Sequence, residues 1–156
     1  MTRPDPAAEE RQLLAVAAAL LDTGRGIDAL SRLLTVLAFA GLAARAVTPV
    51  PVASLCALAL AGTTGLAMVY VGARVAFDAA LFRSLSDGIG DLALLDRTLT
   101  TLGLISARKA GRPLGDRVAG ATRLLRRQLA LLAIQAAAFS VTGAVGAAGL
   151  SQSWVR

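Results

Sequence analysis

The sequence predicts an all-α integral membrane protein. It has three transmembrane helices, an N-terminal amphipathic helix and a cytoplasmic helical hairpin between spans two and three. Three observations predict this. Residues 46–73 and 128–155 contain no charged side chain, and each run exceeds the ~20 apolar residues that cross a hydrocarbon core. The chain is 56% hydrophobic and only 17% charged, with a mean hydropathy of +0.66, whereas a soluble domain carries about 25% charge. Finally, the charged residues are confined to the segments around those apolar runs.

The first element is an amphipathic helix within residues 1–28. Asp5 and Pro6 form an N-cap followed by proline at the first helical position. Glu9 and Glu10 lie in the first turns, where the helix dipole favours anions. Leu13, Val16, Ala17 and Leu20 share one face, broadened by Leu14 and Leu21, and Gly24 is the expected stop. Such a helix lies on a membrane surface or packs on the rest of the protein.

A transmembrane hairpin follows over residues 29–82. Leu33 to Ala44 is short, lying between Arg32 and Arg45, but arginines near a helix end snorkel to the interface. The first span therefore takes in about residues 30–47, some 27 Å at the helical rise. Thr48-Pro49-Val50-Pro51 is a sharp turn, because residues before proline avoid helical backbone. The second span covers about residues 52–73. Small residues recur along it at helical spacing, Ala57, Ala61, Gly65 and Gly72 among them, the pattern that lets another helix approach closely.

Residues 83–127 are the expected cytoplasmic hairpin. Asp87 is the candidate N-cap, and Arg108, Lys109, Gly111 and Pro113 are the stop signals. Leu85, Ile89, Leu92, Leu95, Leu99, Leu102 and Ile105 form a narrow apolar stripe, close to an a/d seam over about three heptads. The helix that begins near Leu114 is expected to run unbroken into the third span, within residues 128–156. There Ala136, Ser140, Ala144 and Ala148 make one column of mostly small residues, and Phe139, Gly143 and Ala147 the next.

Charge sets orientation. Of the 16 basic residues, all but Arg45 and Arg156 lie in segments 1–32 and 74–127. The positive-inside rule then puts the N-terminus and the long loop in the cytoplasm. Arg112, Arg117, Arg123, Arg126 and Arg127 are the candidates for gripping anionic headgroups of the lipid bilayer, each worth about 1 kcal/mol near such a surface. The heavy use of alanine, glycine and arginine, with Lys109 the single lysine, fits a GC-rich bacterial genome and so a bacterial cytoplasmic (inner) membrane. A pI near 11.2 also raises nucleic acid as a partner, but 4% aromatic content and the absence of basic runs interleaved with aromatics argue against it.

Catalytic signals are lacking. There is no histidine, which removes the commonest general acid–base side chain and the usual metal-ligation schemes. Cys56 lies inside an apolar span, where a lone thiol packs as a small hydrophobe. No nucleophile elbow, metal-binding helix or nucleotide loop is present, and no cofactor, metal or catalytic residue is expected. Arg74 and Asp78, four apart in apolar company, read as a helix leaving the lipid. Alternatively they are an ion-pathway pair inside it. The expected function is a small non-enzymatic accessory or scaffold subunit that packs on a larger membrane partner or on itself. The alternative is a homo-oligomeric channel or small transporter using Arg74 and Asp78, with Thr63, Thr64, Gln135 and Thr142 along its path.

Overall fold

A computed structural model describes residues 5–44, 47–88, 91–106 and 111–153, with residues 6 and 146–153 described by backbone alone. Among them the secondary structure is entirely helical: α1 (Pro6–Asp22), α2 (Gly24–Ala44), α3 (Val52–Ser86), α4 (Leu92–Thr101) and α5 (Leu114–Ser153). Three helical stretches are long and apolar enough to cross a membrane: Ala7–Ala44, which comprises α1 and α2, Val52–Ser86 and Leu114–Val145.

The helix ends show local chemistry at work. Asp5 caps α1, its carboxylate accepting from the Ala7 N–H at 3.1 Å, with Pro6 in the first turn as expected. The expected stop at Gly24 is corrected. Thr23 interrupts the helix, its hydroxyl donating to the Leu20 carbonyl at 2.6 Å, and Gly24 opens α2. Thr23 keeps right-handed backbone at φ −60 and ψ −26, so no glycine in left-handed conformation is required there. The first apolar helix accordingly runs from Gly24 to Ala44 instead of 30–47; residues 45 and 46 lie outside the described residues, and Val47 is already in a turn. Its 21 residues measure about 32 Å, so the stretch before Leu33 supplies the length that Leu33 to Ala44 lacks.

The seam expected between Leu85 and Ile105 is broken into three pieces. Leu85 belongs to α3, and Asp87 lies in the turn that ends it. Asp91 is the N-cap of α4, accepting from Leu94 N–H at 2.6 Å. The helix then stops after Thr101 because Gly103 adopts φ +69. The Leu104 N–H returns to the Leu99 carbonyl and the Gly103 N–H to the Thr100 carbonyl, the paired closure of a Schellman turn. A helix of 10 residues, just under three turns, results where three heptads were expected. Ile89, Arg108 and Lys109 fall outside the described residues.

The continuous helix from Leu114 into the third apolar segment forms as expected, 40 residues long. The chain divides into two compact units, one of Met1–Gly24 with Arg74–Leu125, the other of Arg25–Ala73 with Arg126–Arg156. In the first unit the buried apolar set is Leu14, Ala17, Ala18 and Leu21 from α1, Val75, Ala79, Phe82 and Leu85 from α3, with Leu99 from α4 and Leu114, Ala121 and Leu125 from α5. The face of α1 is thus turned from expectation: Leu14 and Leu21 point inward, while Leu13, Val16 and Leu20 are exposed. An ion pair between Arg83 and Asp22 joins α3 to α1.

In the second unit Ala38, Leu58, Ala61 and Ala138 form the core, with Leu42 and Phe139 packed on it. The small side chains let α2, α3 and α5 approach closely. Gly41 faces the Leu58 side chain and Gly62 faces the ring of Phe39, which an added methyl would meet at 3.0 and 3.3 Å.

Candidate functional site

Two polar constellations stand out, one in each unit. The first is a cavity of about 240 Å³ in the unit of Met1–Gly24 with Arg74–Leu125. α3 supplies Arg74, Phe77 and Asp78 to its wall, one turn apart and on one face. Leu95 and Leu99 of α4 and Ile105 of the following turn form an apolar side. Arg112, Asp116 and Arg117 enter from the start of α5. The apolar stripe is therefore partly consumed here: Leu95, Leu99 and Ile105 line the cavity, Leu99 is buried, and Leu102 is left exposed.

One wall is held by a buried ion pair. Asp96 is 7% exposed and accepts from Arg117 Nη2 at 2.7 and 2.8 Å and from the Gly111 N–H at 2.7 Å. Arg117 also donates from Nε to the Arg112 carbonyl at 3.1 Å. Gly111 has φ +75, backbone that glycine adopts without strain. Burial alone pushes the Asp96 carboxyl up. The Gly111 N–H and the Arg117 guanidinium outweigh it and hold its pKa below the ordinary value of 3.8.

Arg117, expected at lipid headgroups, is thus committed to Asp96, its side chain only 15% exposed. Arg112, Arg123, Arg126 and Arg127 are exposed. Sequence reading missed Asp96 because its partners lie 15 and 21 residues away. A signal existed: Asp96 shares the helical face of Leu92 and Leu99, an acidic residue on an apolar face.

The second constellation is a polar knot among apolar residues. Gln135 of α5 and Ser31 of α2 are 0% and 1% exposed. Ser31 Oγ donates to Gln135 Oε1 at 2.7 Å. Gln135 Nε2 lies 3.0 Å from Thr35 Oγ1 and 3.2 Å from the carbonyls of Ser31 and Ala61. One amide therefore links α2, α3 and α5. Unpaired, such groups cost several kcal/mol away from water; here each is satisfied.

The knot accounts for Gly65 in the small column of α3, and Asp28 for Gly72. Ala57, Ala61, Gly65 and Gly72 are all buried. Polar side chains occupy the room at the two glycines: a methyl at Gly65 would lie 2.9 Å from Gln135 Nε2 and collide with Thr35. At Gly72 it would lie 2.7 Å from Asp28 Oδ1, whose other oxygen pairs with Arg32 at 2.6 Å. On α5 the inward positions are Gln128, Leu131, Gln135, Ala138, Thr142 and Val145, a three–four repeat. Ser140 and Gly143 are exposed, and Ala147 lies outside the residues with described side chains.

The polar residues named for an ion path are divided between the two units, Arg74 and Asp78 in the first and Thr63, Thr64, Gln135 and Thr142 in the second. Arg74 and Asp78 share the cavity, while Gln135 is closed within its knot. Thr63 and Thr142 donate back to their own helices, to the carbonyls of Ala59 and Ala138. Among the described residues no three acidic, cysteine or histidine side chains come together to hold a metal ion.

Comparison with family models, curated proteins and solved structures finds no match. The geometry alone defines the class: an all-helical chain with three helices fit to cross a bilayer.

Proposed function

We propose that this chain is a small, non-enzymatic accessory or scaffold subunit of a bacterial inner membrane, with its N-terminus in the cytoplasm. It packs through α5 on a larger membrane protein or on another copy. The observation that carries this reading is the outward face of α5. Ala130, Ala133, Ala137, Ser140 and Ala144 are all exposed and recur at steps of three and four, so no residue larger than serine stands on that line. The α3 column of small residues is already filled from within the unit, whereas the α5 line is open. Close approach of a second helix to such a line gains van der Waals contact that lipid tails supply less well.

The other parts of the reading rest on charge and apolar surface. Arg112, Arg123, Arg126 and Arg127 are exposed and free of the Asp96 clasp, which suits them to anionic headgroups. Leu33, Val36, Leu37 and Phe39 of α2 and Leu66, Val69 and Tyr70 of α3 are exposed, as lipid-facing side chains would be.

Native mass spectrometry of the protein extracted in polymer nanodiscs tests the reading. A reproducible complex, with a different subunit or with further copies, is expected. Ala137→Phe should weaken it at least tenfold. A bare monomer, or a complex indifferent to bulk at Ala137, would refute the role given to α5.

A further inference from the structure

The cavity of the first unit carries a charge pattern that specifies a ligand class. Three arginines and two aspartates line it. Arg117 is already neutralised by Asp96. What remains is Arg74 and Arg112 against Asp78 and Asp116, two positive and two negative, beside the apolar side formed by Phe77, Leu95, Leu99 and Ile105. A site for a plain anion would leave its carboxylates opposed to the ligand. A site for a plain cation would do the same with its guanidinium groups. From this balance we infer that the cavity binds a zwitterion in which a phosphate and a primary ammonium are joined by a short linker.

Guanidinium groups match phosphate oxygens bidentately and remain charged at every relevant pH. The carboxylates of Asp78 and Asp116 accept from the ammonium N–H groups. A volume of about 240 Å³ lies below the 300–1,000 Å³ of drug-sized pockets, which suits a headgroup and excludes a whole lipid. Arg74 is the first charge after the apolar run 46–73. On the membrane reading proposed above, on which the lipid source depends, this puts the cavity at headgroup level. There phosphatidylethanolamine offers this chemistry, with its acyl chains left in the bilayer. Free phosphoethanolamine carries the same two groups in water.

Two arms distinguish the sources. In the first, the full-length protein is placed in nanodiscs holding equal amounts of phosphatidylethanolamine, phosphatidylcholine and phosphatidylglycerol, and retained lipids are counted by native mass spectrometry. In the second, soluble phosphoethanolamine is titrated calorimetrically into the detergent-purified protein. Phosphatidylethanolamine is expected to be retained about tenfold over both competitors, since choline has no N–H for the carboxylates and glycerol no charge, and a charge-assisted hydrogen bond is worth about that factor.

The pair Asp78→Asn with Asp116→Asn should abolish the preference. The pair Arg74→Gln with Arg112→Gln should abolish retention of the phospholipid itself, with circular dichroism confirming that both variants stay helical. Binding in the second arm alone, lost in both variants, supports the zwitterion and assigns it to a soluble source. Preference for phosphatidylglycerol that survives the aspartate changes, or no binding in either arm, overturns the inference. Release of the chain by alkaline carbonate would refute the membrane reading, and the phosphoethanolamine arm would still decide the cavity.

Discussion

Gln135 Nε2 on α5 stands 3.2 Å from the carbonyl oxygen of Ala61 on α3, and both residues are 0% exposed. A helical carbonyl already accepts from its own helix, so this contact uses its second lone pair. It fixes the rotation of α5 relative to α3 within their unit, because a turn of either helix by one residue breaks it. Sliding would separate Gln135 from Ser31 and Thr35 as well. Apolar side chains on the same faces would tolerate several registers.

Gln135→Leu is therefore expected to destabilise the protein by about 1–3 kcal/mol, since it removes the partner of a buried hydroxyl as well as the amide's own bonds. Unfolding titrations in detergent measure this. Ser31→Ala in the Gln135→Leu background should add little further loss, because the bond it would remove is already gone.

Glycine substitutions separate the buried column from the open one. Gly65→Ala puts a methyl against Gln135 and Thr35 and should lower stability by roughly 1–3 kcal/mol through overpacking. At Gly143 nothing lies within 4 Å. There alanine should be neutral or stabilising by up to about 1 kcal/mol through helix propensity. Equal losses at both positions would contradict the assignment of inner and outer faces.

The Asp96 clasp predicts an acid limit. A carboxyl whose folded pKa lies below its unfolded value contributes stability that is fully present above about pH 3.8. That contribution fades as pH falls through the lower folded value. Thermal melts from pH 7 to pH 2 should thus show a loss below pH 4 that Asp96→Asn shares less. At neutral pH Arg117→Met should cost roughly 2–4 kcal/mol by stranding a buried carboxylate. The double variant Arg117→Met with Asp96→Leu should recover most of it.

Orientation is testable with single cysteines in a Cys56→Ser background. A thiol at Thr48 should react with an impermeant reagent from the periplasmic side. One at Gly88 or Ser106 should react only after the membrane is opened. The reverse pattern would overturn the N-in topology.

Helix type and several helix ends were legible because they depend on near neighbours. Charge-free runs, the Asp5–Pro6 cap and the Pro49 and Pro51 turn each act over a few residues. The unbroken α5 could be read across its polar and apolar halves for the same reason. The α4 boundaries are not legible in the same way, because Asp87 and Asp91 are equally good caps in isolation and the stop rests on the left-handed backbone of Gly103. Of the site, Arg74 and Asp78 were visible as charges in apolar company. Asp96 and Asp116 were not, because Asp96 meets Arg117 and Asp116 meets the cavity only through the fold.

The sequence by itself determined that this chain is helical, which stretches can cross a bilayer, and where its charge concentrates. Those properties sum over composition and local spacing, and no distant contact alters them. Only the tertiary structure decided which small residues are filled and which are open. Gly65 and Ser140 are alike in pattern, yet one abuts Thr35 and Gln135 and the other is exposed. The tertiary structure likewise decided that Arg117 serves Asp96 while Arg112 remains available. Partner choice among chemically equivalent residues depends on contacts across 21 to 104 positions, and no periodicity in the chain encodes a distance of that kind.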